Sequence, residues 1–116
     1  MSAAPAMVSD MLVTVKSREV QRAMLAEMRG DSTSATRHFL AGAHLELVLA
    51  DDYTEAGEEE LAARSRISAA SCFWRARQKD TAERLFQELV QAQPAQAAAI
   101  QQIRDELARD CPLTSS

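Results

Sequence analysis

Apolar residues recur along this chain in steps of three and four, the spacing that lines them up on one face of a helix. Val13, Val20, Met24 and Met28 predict a first helix from Ser9 to about Arg29, capped by Ser9 or Asp10 and stopped by Gly30 in a left-handed conformation. Asp31 and Ser32 suit the start of a second helix, which the stripe Ala35, Phe39, Ala43 and Leu47, extended by Leu40 and Ala50, carries to about Ala50. The turn between them is short, so these two helices are expected to lie antiparallel. A third helix, about Glu58 to Gln78, turns Ala63, Ile67, Ala70 and Trp74 inward with Phe73 beside them. Its second, wetter stripe of Arg64, Ser68, Ser71, Arg75 and Lys79 is rotated by about 100°. Asp80-Thr81-Ala82-Glu83 has the form of a capping box and opens a fourth helix to Gln93, burying Ala82, Leu85, Phe86 and Leu89. After a break at Pro94, a fifth helix from about Ala95 to Arg109 turns Ile100, Ile103 and Leu107 inward. Residues 1–8 read as a loose arm and residues 110–116 as a frayed tail, leaving one domain over residues 9–109.

Composition agrees with this all-α reading. Of 116 residues, 47% are hydrophobic, enough for a folded core, while aromatics are only 4% and alanine is abundant, which suits closely packed thin helices. Three glycines and three prolines are too few for a strand-and-turn protein. The segment 51–60, DDYTEAGEEE, carries six carboxylates and no basic residue. It reads as an exposed connection leading into the third helix, whose N-terminus favours Glu58, Glu59 and Glu60.

One stretch, AERLFQELVQAQP, resembles the second helix of a tetratricopeptide repeat (TPR), a helix hairpin whose pattern includes Ala-x3-Phe and a closing Pro; here Ala82, Phe86 and Pro94 match it. Ala70 and Phe73 fit the first helix of the same candidate repeat, residues 63–96, although Arg66 and Ala69 stand where the family often has Trp and Leu. In a second candidate, residues 16–49, Ala23, Ala35, Phe39 and the Gly30-Asp31 turn fit. Glu19, Arg22, Ala26 and Leu47 depart from the pattern there. The two Ala-x3-Phe signals are 47 residues apart, against ~34 for an ordinary repeat. The surplus coincides with the acidic block, as either a prolonged second helix or an inserted loop. The resemblance implies a short TPR-like array of antiparallel hairpins, about five helices in all, that holds another protein or peptide without catalysis.

Family members commonly bind an extended peptide on the surface lined by the first helix of each hairpin. The residues this implies here are Arg18, Arg22, Arg64, Ser68, Ser71 and Arg75. The chain has no Asn, so the Asn-and-Lys clamp some members place on a peptide carboxylate is not supported. Anion recognition would fall to arginine, whose planar fork suits carboxylates. About three repeats are normally needed to bury a continuous core, so self-association or a permanent partner over Met24, Met28, Ile100 or Ile103 is expected.

Other chemistry is weakly represented. His38 and His44 lie six residues apart on one helix, about 120° around its axis, and cannot grip one ion from the same face. No EF-hand spacing, phosphate-cradling glycine loop or Gly-x-Ser-x-Gly elbow occurs. No metal or other cofactor and no enzyme activity are therefore expected; a helical metal protein or enzyme using His38 and His44 is the alternative. The basic residues Arg64, Arg66, Arg75, Arg77 and Lys79, with Trp74, offer another alternative, a nucleic-acid site on helix 64–79. A net charge of −4 weakens it and favours a solvated face or an acidic peptide. Cys72 reads as a small core residue and Cys111 as a tail residue, and a disulfide between them is neither required nor ruled out by the sequence. No leader-like segment and no run long enough to span a membrane is apparent, so a cytoplasmic setting is the default expectation.

Overall fold

The computed structural model describes residues 3–113. It contains five α-helices among those residues: α1 (Ala3–Met28), α2 (Ser32–Glu55), α3 (Glu59–Arg75), α4 (Lys79–Ala92) and α5 (Ala97–Asp110), with a 3₁₀ turn at Pro94–Gln96 before the last. The all-α expectation holds. α1 takes in residues 3–8, which the sequence reads as a loose arm; residues 1 and 2 lie outside the described residues. Pro5 is compatible with this start because it falls in the first turn, where no intrahelical N–H bond is required.

The first three helices end by one device. At the end of α1, Asp31 N–H donates to Ala26 O (2.9 Å) and Gly30 N–H to Glu27 O (3.0 Å). At the end of α2, Glu58 N–H reaches Tyr53 O (2.8 Å) and Gly57 N–H reaches Thr54 O (3.1 Å). At the end of α3, Gln78 N–H reaches Phe73 O and Arg77 N–H reaches Trp74 O, both at 2.9 Å. These paired bonds satisfy the last free carbonyls and require a left-handed residue at the stop. Gly30, Gly57 and Arg77 occupy it, with φ of 75°, 77° and 65°. One alternative left open by the sequence is thereby decided, and one expectation changes. The surplus between the hairpins prolongs α2 through Asp51–Glu55, because nothing stops the helix before Gly57. The expected capping box at Asp80 does not form: the turn at Arg77 makes Gln78 the residue before α4, with no side-chain cap. Asp31, by contrast, caps α2 as expected, accepting from Ser34 N–H at 3.1 Å.

Each helix packs chiefly on its neighbours in sequence, and α5 reaches back to α3. Contacts between helices successive in sequence run antiparallel. Lys16 meets Glu46 while Glu19 meets His38. Arg66 meets Thr54 while Arg75 lies over Phe39. Trp74 packs with Ala82 and Ala70 with Phe86, and Phe86 in turn packs with Ile100. The Cα envelope, 48 × 33 × 17 Å, is about two helix layers thick. Residues of α1, α3 and α5, with two of α2, line one concavity, and residues of α2, α3 and α4 line another.

Small residues set the spacing. Ala23, Ala26, Ala43, Ala69, Ala70, Ala76 and Ala82 are fully buried, and Phe39, Phe73, Trp74 and Phe86 fill the space between the backbones. At Gly42, a Cβ would lie 3.1 Å from Val20 Cγ2, so α1 and α2 approach closely there. On α1 the buried positions are Ala23 and Ala26, while Met24 is 47% and Met28 82% exposed, on the surface where a covering partner was expected. α1 is apolar on several sides, so periodicity alone could not fix its rotation. Ile100, by contrast, is unavailable as partner surface, being buried under α4.

Trp74 closes the far end. It is 1% exposed, its Nε1–H donates to Cys111 O at 2.8 Å, and Lys79 Nζ and Arg104 Cζ lie 5.9 and 5.8 Å from its ring centre. Arg104 also forks onto Glu83, with Nε 2.8 Å from Oε1. Cys111 and Leu113, expected in a frayed tail, therefore pack against the core; residues 114–116 lie outside the described residues.

Candidate functional site

The face built from the odd-numbered helices is concave. Lys16, Ser17, Val20 and Gln21 of α1 form one wall of a groove. Ile67, Ser68, Ser71, Cys72 and Arg75 of α3 form the middle. Ile103, Glu106, Leu107 and Asp110 of α5, followed by Cys111, form the third wall. Steps of three and four on each helix put these residues in stripes that face a common space. Phe39 and Glu46 of α2 reach its floor, and the groove encloses about 670 Å³.

Of the six residues expected to bind a partner, the structure brings Ser68, Ser71 and Arg75 into this groove. It does not bring Arg18, Arg22 or Arg64 there. Arg22 Nη1 lies 2.9 Å from Glu19 on the exposed side of α1, Arg64 Nη2 lies 3.5 Å from Glu60, and Arg18 is exposed away from the groove. α1 presents Lys16, Ser17, Val20 and Gln21 instead. Ser71 Oγ donates to Ile67 O at 3.1 Å, so its hydroxyl oxygen is left to accept. Arg75 lies over the Phe39 ring, 5.5 Å from the ring centre to Cζ.

Glu46 is a lining residue that sequence reasoning did not place in the partner-binding site. It is 5% exposed, mid-helix, and it is among the residues that line the groove. Its close cation is Lys16 Nζ, 3.4 Å from Oε2, longer than a charge-assisted hydrogen bond of ~2.7–2.9 Å. A signal was present: Glu46 follows the inward Ala43 by three positions and precedes the inward Ala50 by four. The contribution of α5 as a third wall also went unread, because it depends on how α5 folds back.

Neighbouring groups respond to this placement. Burial pushes the Cys72 thiol up to about 11, and the negative charge of Glu46 adds to the shift. Cys72 is therefore a protonated core thiol at neutral pH, and both cysteines are free. His38 Nδ1 lies 2.9 Å from Glu19 Oε1, and this hydrogen bond holds the Glu19 carboxyl below its usual range. His44 meets the Phe73 ring edge-on, with centres 5.3 Å apart. The two histidines thus serve separate contacts, and no group of three or more His, Cys, Asp or Glu able to hold a metal ion is found among the described residues.

The basic residues of helix 64–79 do not form one patch. Arg66 donates to Thr54 Oγ1 at 2.8 Å, Arg75 covers Phe39, Lys79 covers Trp74, and Arg77 forms the turn. No helix among the described residues is long and apolar enough to cross a membrane. The architecture defines a class, a five-helix all-α domain with a three-walled groove. Compared with protein-family models, curated proteins and solved structures, the chain matches none of them.

Proposed function

We propose that this chain is a small TPR-like interaction module that holds an extended protein segment in the groove between α1, α3 and α5. The observation that carries the reading is the groove itself, a long open concavity whose walls alternate apolar and hydrogen-bonding side chains. Val20, Ile67, Ile103 and Leu107 offer apolar contact, while Ser17, Gln21, Ser68 and Ser71 offer polar contact. An extended segment presents side chains and unpaired backbone groups together, and such a mixed surface suits both. The antiparallel order of neighbours and the Ala-x3-Phe positions, with Phe39 and Phe86 buried, support the TPR-like reading. The module acts by preformed shape rather than by bond chemistry.

The test uses a displayed library of random twelve-residue peptides selected on the whole protein. Ser68→Trp and Gln21→Trp fill the groove from two walls and are expected to abolish binding of the selected peptides. Arg37→Trp, on the exposed side of α2, is expected to leave it intact. Peptides that bind all three variants equally well would overturn the reading.

A further inference from the structure

We infer that the segment held in this groove carries a lysine or arginine whose cationic head seats on Glu46. The inference rests on the proposed use of the groove and adds the chemistry of its occupant. A carboxylate buried to this degree needs strong partners, since removing an ion from water is costly unless charge and hydrogen bonds replace the lost hydration. Glu46 has about four lone-pair sites. Lys16 serves them from one side only, at 3.4 Å and itself a quarter exposed, and no side-chain hydrogen bond among the described residues ends on the carboxylate. Yet no fully buried side-chain oxygen or nitrogen among those residues lacks a partner. The free lone pairs of Glu46 therefore face the groove, where water or a ligand reaches them.

Charge around the groove points the same way. Glu46, Glu106 and Asp110 oppose Lys16 and Arg75; Arg75 is engaged over Phe39, and Asp110 is paired with Arg109 at 3.2 Å. The remaining lining is uncharged, so the groove is net negative by one charge, within a chain of net charge −4. Ser17, Ser68 and Ser71 ring the approach to the floor with small side chains, which leaves room for a long aliphatic stem to descend with its charged head in front. Val20 and Ile67 supply apolar surface for that stem. Lys16 is then a resident competitor for the carboxylate rather than its dedicated partner. An acidic segment, the occupant expected when arginines are taken to line the groove, would place its charge against Glu46, Glu106 and Asp110.

The same peptide library tests this, followed by synthetic copies of the selected peptides with each basic residue replaced by citrulline or norleucine. Selected peptides are expected to carry a basic residue flanked by apolar ones. Glu46→Gln and the neutral replacement are each expected to weaken binding tenfold or more, and together little more than either alone, because both remove one contact. Lys16→Met keeps the stem, removes the competitor, and is expected to tighten binding about threefold. A purely structural role for the Lys16–Glu46 pair would make both substitutions weaken binding, which would overturn the inference; melting curves of both variants exclude unfolding as the cause. Selected peptides that are acidic or neutral, or that bind Glu46→Gln unchanged, would also overturn it, as would a library that yields no groove-binding peptide. Peptides blocked by Ser68→Trp yet indifferent to Glu46→Gln would sink this inference alone; peptides indifferent to Ser68→Trp would sink the groove reading beneath it.

Discussion

Replacing Trp74 by Phe separates the hold of the C-terminal segment from the rest of the core. The substitution removes the Nε1–H that donates to Cys111 O, worth about 0.5–1.5 kcal/mol net. It shrinks a ring that is 1% exposed; scaled from about 3–5 kcal/mol for complete truncation of a buried aromatic, the lost packing is about 1–1.5 kcal/mol. The contacts of Lys79 and Arg104 over the ring weaken by a few tenths more. The sum is about 2–3 kcal/mol, a large share of the ~5–15 kcal/mol that stabilises a typical domain. Urea unfolding followed by circular dichroism, with a slope of ~1–3 kcal/mol per molar, should show the midpoint falling by about 1–2 M. Hydrogen exchange should quicken most around Cys111, whose N–H bonds Leu107 O at 2.8 Å. Because α5 forms the third wall, binding of groove peptides should weaken alongside. A midpoint shift below about 0.3 M, with unchanged exchange at Cys111, would refute the assignment of Trp74 as the pin between α3 and α5.

Arg77 holds a left-handed φ of 65° at an exposed turn, a conformation that costs a side-chain-bearing residue about 1–2 kcal/mol; Arg77→Gly should stabilise by about 0.5–1 kcal/mol once glycine's own entropy is offset, measurable as a raised melting temperature. Met28→Lys, at a site 82% exposed, should change stability by less than about 0.5 kcal/mol, whereas Ala26→Leu should cost about 1–3 kcal/mol by overpacking the contact with α2; the reverse order in denaturant melts would show that α1 is rotated differently. Glu19 and Glu83 are both held below their ordinary value of 4.5, first by hydrogen bonds from His38 and Arg104 respectively. Folding therefore gains from their ionised forms; the gain is complete above about pH 4.5 and is lost as pH falls through their lowered folded values. A pH series of urea melts should show stability dropping below that point, and Glu83→Gln should flatten part of the drop, by no more than about 1 kcal/mol for a partly exposed pair.

Much of the architecture was legible because it rests on local chemistry. Gly30, and the cap that Asp31 gives to Ser34, mark the α1–α2 turn in the sequence itself. The two stripes of α3, inward Ala70 and Trp74 against Ser68 and Arg75, follow from periodicity alone. Where local signals were ambiguous, tertiary packing decided. Residues 51–55 fit either an exposed connection or a prolonged α2; they lie along α2, with no stop signal before Gly57. The Asp80 capping box gave way because the chain leaves α3 through a left-handed Arg77, which positive-φ statistics do not favour.

The candidate site divides in the same way. Ser68, Ser71 and Arg75 were readable from one helix, whereas Lys16, Glu46 and Glu106 meet only because three separate helices converge. The sequence determined that this chain forms five helices, since propensity, capping and periodicity act between residues a few positions apart. The tertiary structure alone decided which side of α1 is buried, that Trp74 ties down the C-terminal segment, and that a glutamate with spare lone pairs lies at the bottom of a groove. Those outcomes depend on packing and burial between distant segments, which fix the orientation of each helix about its own axis, and periodicity within a single helix leaves that orientation open.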